Sequence, residues 1–171
     1  STFTYDIDKP STTITGPVHL STVSSLASIA GTTLDEPGFS KPNRLSAQTD
    51  KVELTIQRVS DSLYYTGGGW GSETWLATST TAVTATQGTW IKNTGLPAWA
   101  DSESYWIVAR SSDLAGNVQS VFTTGVDSRK VTFDMLGPTA TLTTAQWINA
   151  SVTAFGGTST DALSGVGSLL V

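Results

Sequence analysis

At 171 residues, with 38% hydrophobic and only 13% charged side chains, the chain can bury a core, which excludes a disordered acidic tail. The formal net charge of −5 and the lack of any basic run longer than two residues exclude a surface built for nucleic acid. Without cysteine there is neither a disulfide framework nor a thiolate metal site, and no apolar stretch is long enough to insert into a membrane as a helix.

Short strands separated by turn residues follow one another along the chain. Alternation is clearest in the segment VELTI at 52–56, and the Gly-Pro pair after residue 15 is typical of a turn. A loop is expected at 35–43, and a turn at 115–117 predicts a hairpin. The strands that we predict cover residues 12–15, 26–31, 52–56, 64–65, 75–77, 89–91, 105–111, 118–122 and 131–133. This pattern predicts an all-β protein with two antiparallel sheets packed as a sandwich.

An internal repeat marks both ends of this predicted domain. The segment FTYDIDKPSTTIT from Phe3 aligns with VTFDMLGPTATLT from Val131, an offset of 128 residues, and Gly31-Thr32 aligns with Gly157-Thr158 after a small slip. We therefore expect one complete repeat with partial repeats at both ends. Residues 1–9 are the last strand of a preceding repeat, 10–136 are the complete domain, and 137–171 are the opening strands of a truncated one.

The truncated repeat requires a cover for its edges and apolar face. One hypothesis is that a neighbouring chain adds a strand to it, head to tail, which would build a filament. The alternative is that its own apolar side chains, Trp147, Ile148, Val152 and Phe155, pack back onto the complete domain.

Two segments carry a resemblance to a known family. The stretches YYTGGGWGSETW at 64–75 and YWIVARSSDLAGN at 105–117, with VTFD closing the domain, resemble bacterial immunoglobulin-like tandem repeats of large cell-surface or secreted proteins. The resemblance implies an immunoglobulin-like sandwich at the bacterial cell surface or outside the cell, acting as an adhesive spacer, stalk or filament subunit. Its implied partners are neighbouring repeats or identical chains. Tyr105 suits a tyrosine corner, in which the phenol bonds back to nearby backbone.

Candidates for catalysis are few. Proton transfer near neutral pH most often needs histidine, and the chain has only His19, placed in a predicted loop. The carboxylate pairs Asp35-Glu36 and Asp101/Glu103 lie in turn-like segments, where acids are ordinarily solvated. We therefore predict that the chain is not an enzyme and has no catalytic residues and no cofactor.

The domain joints are the candidate positions for calcium, because hard cations prefer converging oxygen ligands. Asp6 and Asp8 flank the first joint, but Leu136 replaces the second acid at the next joint. Asp113 and Asn117 are spaced as turn preference alone would place them. The sequence therefore predicts no metal site.

An aromatic cluster offers an alternative function. Tyr64, Tyr65, Trp70 and Trp75 surround the glycines at 67–71, and exposed rings there could stack on sugars as in a carbohydrate-binding module. Packing in the core or at the sheet edge is the favoured interpretation, because large rings bury much apolar area.

Overall fold

A computed structural model describes residues 6–35, 49–84, 87–143 and 156–168, with the backbone alone for 80–84. These ranges are all-β, and none of their segments is a helix long and apolar enough to cross a membrane. Their strands are β1 (Ser11–Gly16), β2 (Ser21–Val23), β3 (Ile29–Leu34), β4 (Thr49–Arg58), β5 (Tyr64–Tyr65), β6 (Trp70–Gly71), β7 (Leu76–Ala77), β8 (Ser79–Thr84), β9 (Gln87–Lys92), β10 (Ser104–Asp113), β11 (Ser128–Phe133), β12 (Thr139–Leu142) and β13 (Gly157–Thr160).

The strands form two sheets and a separate hairpin. A four-stranded sheet has the order β1-β3-β9-β8, and a larger sheet has the order β2-β11-β10-β4-β5-β6, with β7 also paired to β4. Strands β12 and β13 pair only with each other among the described residues. The prediction of an all-β protein with antiparallel sheets is confirmed, except that β2 runs parallel to β11.

One hydrophobic core lies between the two sheets, because alternate residues of each strand point to the same face. The long pair β4 and β10 contributes six of its thirteen buried side chains among the described residues. The buried side chains are Ile14, Ile29, Val52, Leu54, Ile56, Tyr65, Leu76, Trp90, Tyr105, Ile107, Ala109, Val131 and Phe133.

Tyr105 forms the predicted tyrosine corner. Its phenol oxygen accepts a hydrogen bond from the backbone N–H of Ala100 at 3.1 Å. The ring is fully buried between Trp99 and Phe133, whose ring centroids lie 5.0 and 5.6 Å away, and burial raises the pKa of the phenol. The corner therefore ties the loop before β10 to the core.

Several predicted strands were misplaced. The strand predicted at 26–31 corresponds to β3, which runs from Ile29 to Leu34. Strands β2 and β8 were not predicted. Most of the predicted loop at 35–43 lies outside the described residues.

The predicted hairpin between 105–111 and 118–122 forms only at its turn: the N–H of Gln119 bonds the carbonyl of Ser111 at 2.9 Å, but no strand continues over 118–122. Val118 makes a single bridge to Ser112, and the partners of β10 are β11 and β4. The reason is a buried polar cluster. Gln119 turns inward, and its amide nitrogen donates to Asp127 Oδ2 at 2.6 Å and to the carbonyl of Val121 at 3.2 Å.

Candidate functional site

The outer face of the larger sheet carries the chemistry of this molecule. On β10 the residues that alternate with the core side chains are Trp106, Val108 and Arg110. Their partners on β4 in the register are Gln57, Thr55 and Glu53, in the same order. Bulky, amphipathic and charged side chains therefore lie side by side on the face opposite the core.

Four aromatic side chains line a depression on this face. Tyr64, Trp75, Trp106 and Phe122 surround a space of about 160 Å³, which we call the aromatic cleft. The remaining lining residues are Thr55, Gln57, Glu73 and Val108. Thr55 is only 2% exposed although it faces away from the core, so the surrounding side chains cover this part of the sheet.

Trp75 is held in place by a stack of neighbours. The Arg110 guanidinium lies 3.9 Å from the centre of the Trp75 ring and donates to Glu53 Oε2 at 2.9 and 3.1 Å. Phe122 lies against the same indole, with ring centroids 6.1 Å apart and planes 25° from parallel. These contacts fix the orientation of the indole.

A second depression of about 720 Å³ adjoins the cleft. It shares Glu73, Trp75 and Phe122 with the cleft and extends to Lys9 and Asn117. Trp75 and Phe122 therefore form a wall between two neighbouring spaces on one face.

The aromatic cluster predicted from the sequence is split between two faces, because adjacent residues of a strand point in opposite directions. Tyr64 and Trp75 line the cleft. Tyr65 is part of the core, and Trp70 packs on it with ring centroids 5.5 Å from Tyr65 and 5.8 Å from Tyr105. The interpretation as core packing therefore holds for Tyr65 and Trp70, but not for Tyr64 and Trp75.

Trp106 and Phe122 were not singled out from the sequence. The signal for Trp106 was present, since it lies between Tyr105 and Ile107 on the outward phase of an otherwise apolar strand. Phe122 was assigned to a strand that does not form, so no periodicity could have placed its ring beside Trp75.

Three carboxylates come together at the far end of β10. Oxygen atoms of Asp6, Asp35 and Asp113 all lie within 4.8 Å of one another, and Asp35 and Asp113 are 1% and 3% exposed. Asn117 donates its side-chain amide to Asp113 Oδ2 at 2.8 Å and to the Asp6 carbonyl at 3.3 Å. These oxygens are of the kind that hard divalent cations prefer, so the group could hold one. The N–H of Asp8 donates to Asp6 Oδ1 at 2.9 Å, and Asp134 accepts the N–H of Ser164. The absence of a metal site stays a prediction.

The candidate catalytic residues His19, Asp101 and Glu103 bond backbone groups. His19 Nδ1 accepts the N–H of Lys130 at 3.0 Å, and its ring lies 5.9 Å from Trp106. The N–H of Met135 bonds Asp101 and lowers the pKa of that carboxyl, while Glu103 accepts the N–H of Ser104 at 2.9 Å. Glu36 lies outside the described residues.

No family model matches the chain, and no curated protein matches it. The resemblance to bacterial immunoglobulin-like repeats therefore stays a prediction carried by the residues of 64–75 and 105–117.

Proposed function

We propose that this chain is a non-catalytic structural segment of an extracellular bacterial surface protein, acting as a spacer, stalk or filament subunit. In this proposal an immunoglobulin-like sandwich separates neighbouring units of a tandem array. The observation that carries it is the position of the two connecting segments, which lie at opposite ends of the longest strand pair.

The geometry of the connections is set by β10. The preceding segment lies at the C-terminal end of β10, because Asn117, which bonds Asp113, also donates to the carbonyl of Asp6. The following segment begins beside the N-terminal end of β10, where the N–H of Ser102 bonds the carbonyl of Phe133 at 2.8 Å. The ten residues of β10 span about 33 Å at the usual rise per residue. Units joined in this way would extend a rod rather than fold back.

The hairpin of β12 and β13 supports the interpretation as a repeat. In β1 and β3, Ile14 pairs with Gly31. In the hairpin, Leu142 pairs with Gly157. These are the residues that the sequence alignment equates, and the next three pairs of each ladder follow in the same register.

The two glycines also share a steric role. A Cβ atom at Gly31 would lie 1.9 Å from the carbonyl oxygen of Thr13, and one at Gly157 would lie 2.4 Å from that of Thr141. Thr13 and Thr141 are again equated by the alignment, so the two ladders share a close backbone approach that requires glycine at the same place.

The immunoglobulin-like part of the proposal is supported by the tyrosine corner and by two sheets that share one core. The exposed ladder of β12 and β13 supports neighbouring repeats or identical chains as partners, since both strands offer unpaired edges within the described residues.

A tandem fusion of two full chains tests the spacer function. We expect its maximum dimension, measured by small-angle X-ray scattering, to be roughly double that of one chain, because the connections lie at opposite ends. Spin labels at Ile7→Cys and Leu136→Cys measure the distance between the two connecting segments within one chain. Both side chains are exposed, and the chain has no other cysteine. A label separation far below the length of β10, or a fusion no longer than a single chain, would contradict the proposal.

A further inference from the structure

We propose that the aromatic cleft binds a neutral saccharide chain, with sugar rings on both sides of the wall formed by Trp75 and Phe122. This goes beyond the spacer function, because it gives the outer face of the larger sheet a ligand. The rings that would contact the sugar are Tyr64, Trp75, Trp106 and Phe122. Tyr65 and Trp70 of the cluster predicted from the sequence are not among them.

The lining of the cleft matches the two surfaces of a sugar ring. A pyranose has apolar C–H faces and a rim of hydroxyl groups. The four aromatic rings offer apolar faces, while Gln57 and Glu73 place polar atoms between them. Small-molecule sites commonly combine a mostly apolar lining with a few polar groups that fix orientation.

Two polar groups of the cleft are available to such a ligand. Among the residues that the structure describes, the Tyr64 hydroxyl and the Glu73 carboxylate make no hydrogen bond, and both border the space between the rings. Since these side chains are not buried, water satisfies them in the free protein. Sugar hydroxyls can take the place of that water without leaving a buried group unsatisfied.

The charges around the cleft favour a neutral ligand. Among the described residues that line the aromatic cleft there is no cation; of the two spaces, Lys9 borders only the second depression, where Arg110 is paired with Glu53. Glu73 adds a negative charge, and the net charge of the chain is −5, so polyanions are repelled.

A cationic headgroup is also disfavoured, although aromatic cages often bind quaternary ammonium groups. The Arg110 guanidinium already covers the Trp75 ring at 3.9 Å. A second cation near that ring would meet the charge of Arg110.

The division of the face suggests a chain rather than a single sugar. The cleft and the second depression meet at Trp75 and Phe122, so one ring can lie in each space while the linkage crosses the wall. Because Arg110 and Glu53 hold Trp75 in one orientation, little side-chain freedom is lost on binding.

Isothermal titration of the full chain tests the proposal with neutral soluble polysaccharides: a β-glucan, a xylan and a galactomannan. We expect at least one of them to bind. Trp75→Ala and Phe122→Ala should each weaken that binding roughly tenfold, since each removes one stacking ring. The matched control is Val121→Ala, because Val121 is 77% exposed and adjacent to Phe122 but does not line the cleft. Its affinity should equal that of the unmodified chain.

Thermal unfolding of each variant separates loss of the ligand from loss of the fold. Phe122 is 40% exposed and lies outside the strands, so Phe122→Ala should unfold at nearly the same temperature as the unmodified chain. Failure of all three polysaccharides to bind would overturn the proposal. So would unchanged affinity in both aromatic variants, or binding of heparin or phosphocholine in place of the neutral chains.

Discussion

Trp90 is buried against β3 because residue 31 has no side chain. A Cβ atom at Gly31 would lie 2.4 Å from Cζ2 of the Trp90 ring and closer still to the carbonyl oxygen of Thr13. The indole N–H then reaches Thr12 Oγ1 at 2.8 Å, which satisfies its polar group inside the core. One glycine thus permits the largest side chain of the smaller sheet to be buried.

Gly31→Ala should therefore destabilise the protein by about 1–3 kcal/mol, because the new methyl group meets backbone as well as the ring and neither can move cheaply. Urea denaturation measures the change in the free energy of unfolding. Gly68→Ala is the control, since no atom lies within 4 Å of its Cβ position. Equal effects of the two substitutions would show that Trp90 does not depend on the glycine.

Asp127 is a buried acid with an unusual titration. It is 4% exposed and accepts the Thr123 N–H and the Gln119 amide, each at 2.6 Å. Burial raises the pKa of this carboxyl above its ordinary value of 3.8, while the hydrogen bonds act in the opposite direction. The folded protein therefore holds this proton more tightly than the unfolded chain does.

The stability linked to Asp127 should be fully present below pH 3.8 and lost as the pH rises through the raised pKa. We expect the unmodified chain to lose free energy of unfolding relative to Asp127→Asn over that rise. Denaturation of both proteins at a series of pH values gives the difference. A difference that is constant with pH, or that changes in the opposite direction, would contradict the assignment.

At the level of strands, the alternation of apolar and polar residues predicted a strand correctly where that strand buries one face. β4 and β10 were predicted because their apolar side chains recur at every second position over a long stretch. β2 has only three residues and β8 is mostly threonine and serine, so neither has a distinct apolar face in the sequence. The segment 118–122 was predicted as a strand, but its pairing with β10 ends after Gln119, whose side chain donates to Asp127. Of the four rings of the cleft, Tyr64 and Trp75 were predicted from the sequence. Phe122 could not be, because only tertiary contacts bring it to Trp75.

The edge of β13 is a specific place for another strand to add. Thr143 N–H bonds the carbonyl of Gly156, so the alternation of an antiparallel ladder directs the N–H groups of Ala140 and Ser159 outward. β3, which the alignment equates with β13, uses its corresponding edge to pair with β9.

Ser159→Pro should therefore abolish association by strand addition at β13 while leaving the hairpin paired, because proline removes an outward donor. Static light scattering over a concentration series measures the mass. We expect the mass of the unmodified chain to rise with concentration and that of the variant to remain monomeric. Ala140→Pro, on the opposite edge, is the comparison, and a strictly monomeric unmodified chain would exclude strand addition.

At the scale of the whole molecule, the two sheets should unfold together, because one cluster of side chains joins them. Hydrogen exchange followed by mass spectrometry should give similar protection in β3 and β10. The hairpin of β12 and β13, whose residues are nearly all exposed, should exchange much faster. Clearly weaker protection of β3 than of β10 would show that the sheets open separately.

The parallel pairing of β2 with β11 matters when the ends of the chain are pulled apart. β2 lies near the start of the chain and β11 near its end, and Val131, Thr132 and Phe133 pair in register with Ser21, Thr22 and Val23. Tension between the termini therefore draws the two strands past each other lengthwise. The hydrogen bonds of the pair share that load and must break nearly together, whereas a hairpin opened from one end would release them one at a time.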